Sequence, residues 1–516
     1  MRQTSFRSGV ARATALALAL ATLPFLGGCM VGPDYYRPSA IISARFKELQ
    51  PAPGWAVAAP SMAESDKGTW WRIYGDPVLD DLEGQVAISN QNVKVYEADY
   101  RQARALVDVA RSSLFPTLSG SPAVTRSSSG IGSNAVTGLS SRLSNTGGAN
   151  SFTSTNYQLE ATASWDLDVW GRIRRQVESD VASAQASAAD LANATLSYQA
   201  ALATDYFDLR YEDSLQTLLD QTVAGYEQSF RIINNQYQAG LLAATPIARL
   251  QAETLLAQTR AQAVSVGVLR HQYEHAIAVL TGRPPADLAL ASSALAPTVP
   301  ATPVLLPAIL LQRRPDISAA ERRMQVQNAL IGVQVAAFFP DISLTAAYGW
   351  TGNPIGSLIQ ASNRLWSLGA SATEILFEGG LRSASVREAR AAYDASVATY
   401  RQTVLNALQT TEDDLSGLRI LAQQAQAQAQ ATALAEQAER VALNEYNAGI
   451  VDYTTVVTSE ATALGNEQTG LGIEEQRLTD SVSLVEQMGG GWRTTDLPGR
   501  NALQRNDPFV PAFLEH

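Results

Sequence analysis

Residues 171–240 contain no proline and a single internal glycine, Gly225. Small or apolar residues recur there in steps of four and three: Val177, Val181, Ala184, Ala188, Leu191, Thr195, Tyr198 and Leu202. That is the seam spacing of a coiled coil. The helix it predicts, residues 171–239, is roughly 100 Å long at 1.5 Å per residue. It ends at Tyr237-Gln-Ala-Gly240, where glycine adopts the left-handed conformation that closes a helix. Residues 380–449 form a twin. They too are proline-free, with one internal glycine, Gly417, and end in Tyr446-Asn-Ala-Gly449. The second long helix is expected over residues 380–448.

Other segments alternate with period two. Tyr157, Leu159, Ala161, Ala163, Trp165, Leu167 and Val169 take one side. Gln158, Glu160, Thr162, Ser164, Asp166 and Asp168 take the other. An apolar face backed by a polar one over residues 157–169 fits a membrane barrel strand with a watery lumen. An amphipathic strand in a soluble sheet has the same pattern. Further strands are expected over residues 117–125, 341–350 and 365–377. In the last, apolar parity slips between Trp366/Leu368 and Ile375/Phe377, which predicts a bulge. Shorter helices are expected over residues 79–114, 246–280 and 453–488.

These elements repeat. Glu97, Leu106 and Phe115-Pro116 correspond to Glu321, Leu330 and Phe339-Pro340 at an offset of 224. The offset falls to 209 at Gly240 and Gly449, which places 15 extra residues in the first half, in the polar loop Ser127 to Asn156. The expected order is a first repeat over residues 79–282, a proline-rich linker over 283–315 and a second repeat over 316–488. The linker is read as a connection rather than as core. A loosely ordered tail, 489–516, follows.

Composition adds an address. Arg2, Arg7 and Arg12 precede the apolar run Ala13 to Phe25, a secretory signal over residues 1–28. Leu26-Gly-Gly-Cys29 resembles the bacterial lipobox, so Cys29 is the expected lipidation site and residues 29–78 an anchored arm. Met30, where aspartate would retain a lipoprotein at the inner membrane, favours the outer membrane. Cys29 is the single cysteine, which rules out a disulfide within the chain. Net charge is −11, and −14 once the signal is removed, which disfavours nucleic acid as a partner.

Four strands are too few for a membrane barrel, which needs about eight, and an open sheet edge in lipid leaves backbone groups unpaired. Several copies must therefore share one barrel. The motifs carrying a resemblance lie in order along most of the mature chain: Cys29-Met-Val-Gly-Pro-Asp34-Tyr35, Trp70-Trp71, Asp76-Pro77, Asp166-Leu-Asp168-Val-Trp170-Gly171, Tyr237-Gln-Ala-Gly240, Arg313-Arg314-Pro315-Asp316, Phe339-Pro340, Phe377-Glu-Gly-Gly380, Tyr446-Asn-Ala-Gly449 and Gly489-Gly-Gly-Trp492. The chain resembles TolC/OprM-type outer-membrane factors, in the lipoprotein (NodT-like) branch of efflux channels. The resemblance implies a mainly α fold with a membrane β-barrel portion. A homotrimer would form a 12-stranded barrel continued by a periplasmic α-helical tunnel. It implies a passive exit channel partnered by a periplasmic adaptor and an inner-membrane RND-type pump. No cofactor is expected beyond the lipid on Cys29.

No catalytic set stands out. His271-Gln-Tyr-Glu274-His275 spells an inverted zinc-protease motif, but His516 is the sole other histidine and no third ligand is evident. In the resembled family the far tip narrows to a gate. Asp452, Tyr453, Thr458 and Glu460 are the gate candidates; many relatives carry an acid nine positions past the turn glycine, where this chain has Thr458. Gly240, Leu241, Gly449 and Ile450 are the adaptor-docking candidates. Asp166 and Asp168 are expected to line the lumen or the barrel-to-tunnel junction. A channel for exported polypeptides is the near alternative, and a structural coiled-coil envelope lipoprotein one of a different class.

Overall fold

The computed structural model describes residues 30–40, 42–48, 69–129, 152–240, 245–295, 299–300 and 307–503. The signal segment, Cys29, Leu241 and His516 lie outside them, as do most of the polar loop, part of the linker and the end of the tail. Helices α1 (Pro77–Ser89) and α2 (Gln91–Ser112) lead into strands β1 (Thr117–Ser129) and β2 (Phe152–Leu167). The long α3 (Arg172–Gln238) and the returning α4 (Pro246–Leu280) complete the first half. After the short α5 (Pro307–Arg313), the second half runs α6 (Pro315–Ala336), β3 (Asp341–Gly352), β4 (Arg364–Thr373), α7 (Leu381–Asn447) and α8 (Tyr453–Gln487), and α9 (Arg500–Leu503) ends the described chain.

The strands form one antiparallel sheet in the order β1-β2-β3-β4. Its register places Leu118 against Ala163, Ala163 against Ala346 and Ala346 against Leu368. Cross-strand partners share a face. One face thus carries Leu118, Val124, Leu159, Trp165, Tyr348, Trp366 and Leu368, while Ser119, Thr162, Ser343, Thr345 and Ser371 stand on the other. The apolar face is bare: Leu118 is 78% exposed, Trp366 70% and Leu368 77%. The β3–β4 register is unbroken as far as Thr373. The parity slip therefore marks the end of β4, not a bulge, and residues 374–377 lie beyond the strand.

Sheet becomes helix at two left-handed glycines, Gly171 (φ 82°) and Gly380 (φ 89°), each the N-cap of a 67-residue helix. Glycine adopts this conformation without the Cβ clash that disfavours other residues. The helix expected over residues 79–114 is instead two. Asn90 is extended and caps α2 through Asn92 N (2.9 Å) and Val93 N (3.2 Å). Its Nδ2 also donates to Leu280 O at 2.9 Å. There the corner between α1 and α2 abuts the end of α4 so closely that a Cβ on Gly282 would sit 2.3 Å from Ser89 O. The second half repeats the device: a Cβ on Gly489 would sit 2.1 Å from Arg313 O. In each half, two shorter helical runs thus meet end to end beside a long one.

The linker is more than a connection. Arg210 Nη1 donates to Ala291 O (2.7 Å) and Arg270 Nη2 to Leu290 O (2.7 Å). Ser293 N donates to Asp213 at 3.1 Å. Leu288, Leu290 and Leu295 pack on the largest core cluster, which gathers Trp70, Trp71, Leu79, Leu202, Tyr206 and Phe207. The tail is likewise docked as far as Leu503, which is buried against Val107 and Val181.

Glu83 of α1 is fully buried beside this core, and neither carboxylate oxygen has a partner. Burial pushes its pKa from 4.5 up to about 9. A carboxyl raised on folding binds more protons in the folded state. Its stabilising contribution is complete below pH 4.5 and is lost as pH rises through about 9. Thermal unfolding followed by circular dichroism should show the melting temperature falling between these limits, with Glu83→Gln flattening the fall and melting higher than the parent at the alkaline end.

Candidate functional site

The end of the molecule remote from the sheet is built from two Y-x-A-G turns. Gly240 (φ 72°) and Gly449 (φ 74°) are both left-handed, and a Cβ at either would meet nothing within 4 Å. Ile450 is 72% exposed beside Gly449. The two tips are joined: Tyr446 Oη donates to Gln236 Oε1 at 3.1 Å and Thr454 Oγ1 to Gln251 Oε1 at 3.3 Å. Ile233, Ala248, Ala252, Ala442, Tyr446, Tyr453 and Val456 bury a common apolar cluster there.

The four gate candidates separate in space. Asp452 is exposed and is the N-cap of α8, accepting from Thr455 N and Thr455 Oγ1, both at 3.2 Å. Thr458 is exposed, its hydroxyl donating to Thr454 O at 2.9 Å. Tyr453 points inward, buried edge-on against Tyr446 with ring centroids 5.3 Å apart. Glu460 is 5% exposed and faces a cavity of about 580 Å³ between α3, α7 and α8 of the same chain, not the exterior of the tip. Burial first, then the Glu439 carboxylate, raises its pKa to about 7, against the pull of the Ser229 hydroxyl.

At the other end of α3, Asp166 is exposed and lines a cavity of about 290 Å³ with Arg172, Gln176 and Ser164. Asp168 lies at the junction of sheet and helix, the second of its two expected places, rather than along the lumen. Its side chain is 9% exposed. Its two oxygens accept from Ile173 N and Arg174 N, each at 2.9 Å, and Arg174 Nε lies 3.1 Å away. It satisfies the orphan amides at the start of α3, whose N-cap glycine has no side chain to do so. Glu378 accepts from Arg382 N at 3.0 Å in the same way at α7. Trp170 stacks on Phe339 at 4.7 Å and donates through Nε1 to Pro340 O at 3.0 Å, tying the two repeats below the sheet.

The zinc-protease spelling dissolves. Glu274 is committed to Leu290 N (2.7 Å) and Arg270 (3.4 Å), while His271 and His275 are exposed with rings 6.5 Å apart. Among the described residues no three His, Cys, Asp or Glu side chains are placed to hold a metal.

The N-terminal arm is fastened by a residue that pattern reasoning missed. Arg175 of α3 is fully buried. Its guanidinium donates to Val31 O and Gly32 O, both at 3.1 Å, and pairs with Asp34 (2.9 Å) and Glu178 (2.8 Å). Gly332 of α6 leaves the room, since a Cβ there would meet Arg175 Cδ at 2.9 Å. Further along, Lys47 N and Glu48 N donate to Glu412 at 2.7 and 2.9 Å. Three arginines in the first turn of a helix, Arg172, Arg174 and Arg175, where the dipole disfavours cations, were the available signal.

A sheet with one bare apolar face, run directly into helices of this length, defines an outer-membrane channel with a helical tunnel. The family described as outer membrane efflux protein matches residues 82–283 and 306–490, and the chain belongs to it. It is thus an outer-membrane protein with a periplasmic helical portion, in a family of channels rather than enzymes. It is 28% identical to the probable efflux pump outer membrane protein TtgC of Pseudomonas putida over 92% of this chain and 95% of that one. It is likewise 28% identical to outer membrane protein OprJ of Pseudomonas aeruginosa, over 93% and 95%. The outer-membrane channel OprN superposes with a TM-score of 0.79 at 28% identity, over 90% of this chain and all of that one. The CmeC outer membrane channel of Campylobacter jejuni shares the fold, with a TM-score of 0.82 at 20% identity over 91% and 96%. Among the described residues no helix is long and apolar enough to cross a membrane.

Asp168→Ala should destabilise the start of α3 by about 1 kcal/mol through the lost cap. A lower melting temperature with faster amide exchange at residues 172–175 is the expected readout; exchange unchanged there would remove the capping role.

Proposed function

We propose that this chain is the passive outer-membrane exit duct of a tripartite efflux assembly, acting as a homotrimer with a periplasmic adaptor and an inner-membrane pump. The observation that carries the reading is the sheet: four strands with an exposed apolar face and two edge strands, β1 and β4, each paired on one side only. Three copies supply the twelve strands of a closed barrel, within the range of about 8 to 26 that such barrels use. The twin helices support the same stoichiometry. Of its 67 residues α3 buries 24, whereas α7 buries 8 of the same number, leaving Leu405, Ile420, Leu434 and Val441 bare for a neighbouring copy. The efflux role is supported by the family and by relatives named for toluene, solvent and antibiotic efflux.

The turns at Gly240–Leu241 and Gly449–Ile450 are the proposed adaptor contacts, and the exposed Asp452 the proposed acid of the aperture. Lipid on Cys29 fits the arm's course. Met30 packs against Gly171 and Val31 N donates to Trp170 O at 3.1 Å, at the level where sheet gives way to helix.

Purified protein in a planar bilayer should give stable pores, and cross-linking should trap trimers; monomers without conductance would sink the reading. Asp452→Ser, which keeps the helix cap and removes the charge, should raise single-channel conductance, and an unchanged value removes Asp452 from the aperture. Intact mass spectrometry of membrane-extracted protein should show acyl chains on Cys29 and none on Cys29→Ser. An unmodified Cys29 would refute the anchor.

A further inference from the structure

The cavity beside Glu460 has no part in the duct as described, yet its lining is selective. Glu439 of α7 and Glu460 and Glu467 of α8 bring three carboxylates to it, and among the described residues no lysine, arginine or histidine lines it. Glu460 is 95% buried by its 5% exposure, and its Oε2 has no partner. Its Oε1 is held only by Ser229 Oγ at 3.4 Å. Opposite, Tyr226 of α3 is 6% exposed and its hydroxyl is also unpartnered. Tyr446 and Tyr453 add aromatic surface, and Ile232 and Leu464 apolar surface. A buried acceptor without a donor is unfavourable, more so when charged, so the cavity suits something that supplies positive charge and hydrogen.

We propose that this cavity is a binding site for an amphipathic organic monocation, its charge on Glu460 and its apolar body between Tyr226 and Tyr453. A metal ion is the poorer occupant, because no three acidic side chains among the described residues converge on a point. An aromatic cation matches the mixture of carboxylate and ring faces, since tyrosine rings attract cations through their quadrupole. The volume of about 580 Å³ is that of a drug-sized pocket.

Protons compete for the same oxygen. The groups facing Glu460 are Glu439 and Tyr446 on α7, Tyr226 on α3, and Glu467 and Tyr453 on α8. Arg440 partly offsets the charge of Glu439. All the neighbouring carboxylates have raised pKa values, by burial first, and Glu460 itself stands at about 7. A quaternary cation, whose own charge is independent of pH, should bind more weakly as acidity protonates the site.

The test is fluorescence anisotropy of ethidium with the full-length protein in lipid nanodiscs, against empty nanodiscs. One saturable site per protomer is expected, weakened at least about tenfold by Glu460→Gln, the loss of roughly 1.4 kcal/mol. In the unaltered protein, affinity should fall between about pH 8 and about pH 6, a measurement that needs no variant to fold. Uncharged phenanthridine should not bind there. Absence of saturable binding, which includes the case of a second copy's side chain filling the cavity, would overturn the proposal. So would equal affinity in Glu460→Gln, a flat pH profile, or equal binding of phenanthridine. Pore formation is read separately, so failure here leaves the channel reading standing.

Discussion

The constraint on which this architecture depends is that no backbone amide or carbonyl goes unpaired in lipid. Water is absent there to replace a missing partner, and each orphan costs several kcal/mol. A sheet of four strands meets the requirement along its three internal seams and fails it at the outer edges of β1 and β4. In the proposed trimer, other copies of the chain supply those edges. The alternation of the strands follows from the same setting, because a barrel wall has lipid on one side and water on the other. Polar residues on the watery side reinforce the ladder, as in the 2.8 Å contact of Ser343 with Ser371.

The tunnel inherits its geometry from the sheet through two glycines. Gly171 and Gly380 turn the chain from strand to helix, and a carboxylate placed just before each, Asp168 and Glu378, accepts the amides that the new helix leaves free. Beyond this point the halves diverge in environment. The first long helix is wrapped by shorter helices of both halves and held by the arm through Arg175. The second is packed on fewer sides within its own chain. A duplicated sequence has thus been divided into an interior stave and a stave that faces outward from the protomer.

The buried carboxylates are the cost of building a wall from polar helices. Glu83 and Glu460 lack adequate partners among the described residues, and burial raises the pKa of both. One sits in a dry core and the other beside an open cavity. The same physics therefore gives a stability effect in the first case and a binding site in the second.

Periodicity and punctuation determined much of this protein from the sequence alone. The seam spacing and the Y-x-A-G stops located the long helices, because local spacing decides helix phase and glycine decides where a helix closes. The alternation in β2 and β3 located a two-faced sheet for the same reason. What the tertiary structure decided were the contacts between segments far apart in the chain. Asn90 splits an apparently continuous helix because its side chain reaches Leu280, 190 positions away. The proline-rich linker joins the core because Arg210 and Arg270 donate to its carbonyls. Asp168 was expected at the lumen or the barrel-to-tunnel junction; the turn at Gly171 places it at the junction, folded back onto the helix start. Glu460 looked like a gate charge from its distance to Gly449, yet the crossing of three helices encloses it. Strand and helix patterns record which face is apolar. They do not record which neighbour that face meets, and the fate of a buried charge depends on the neighbour.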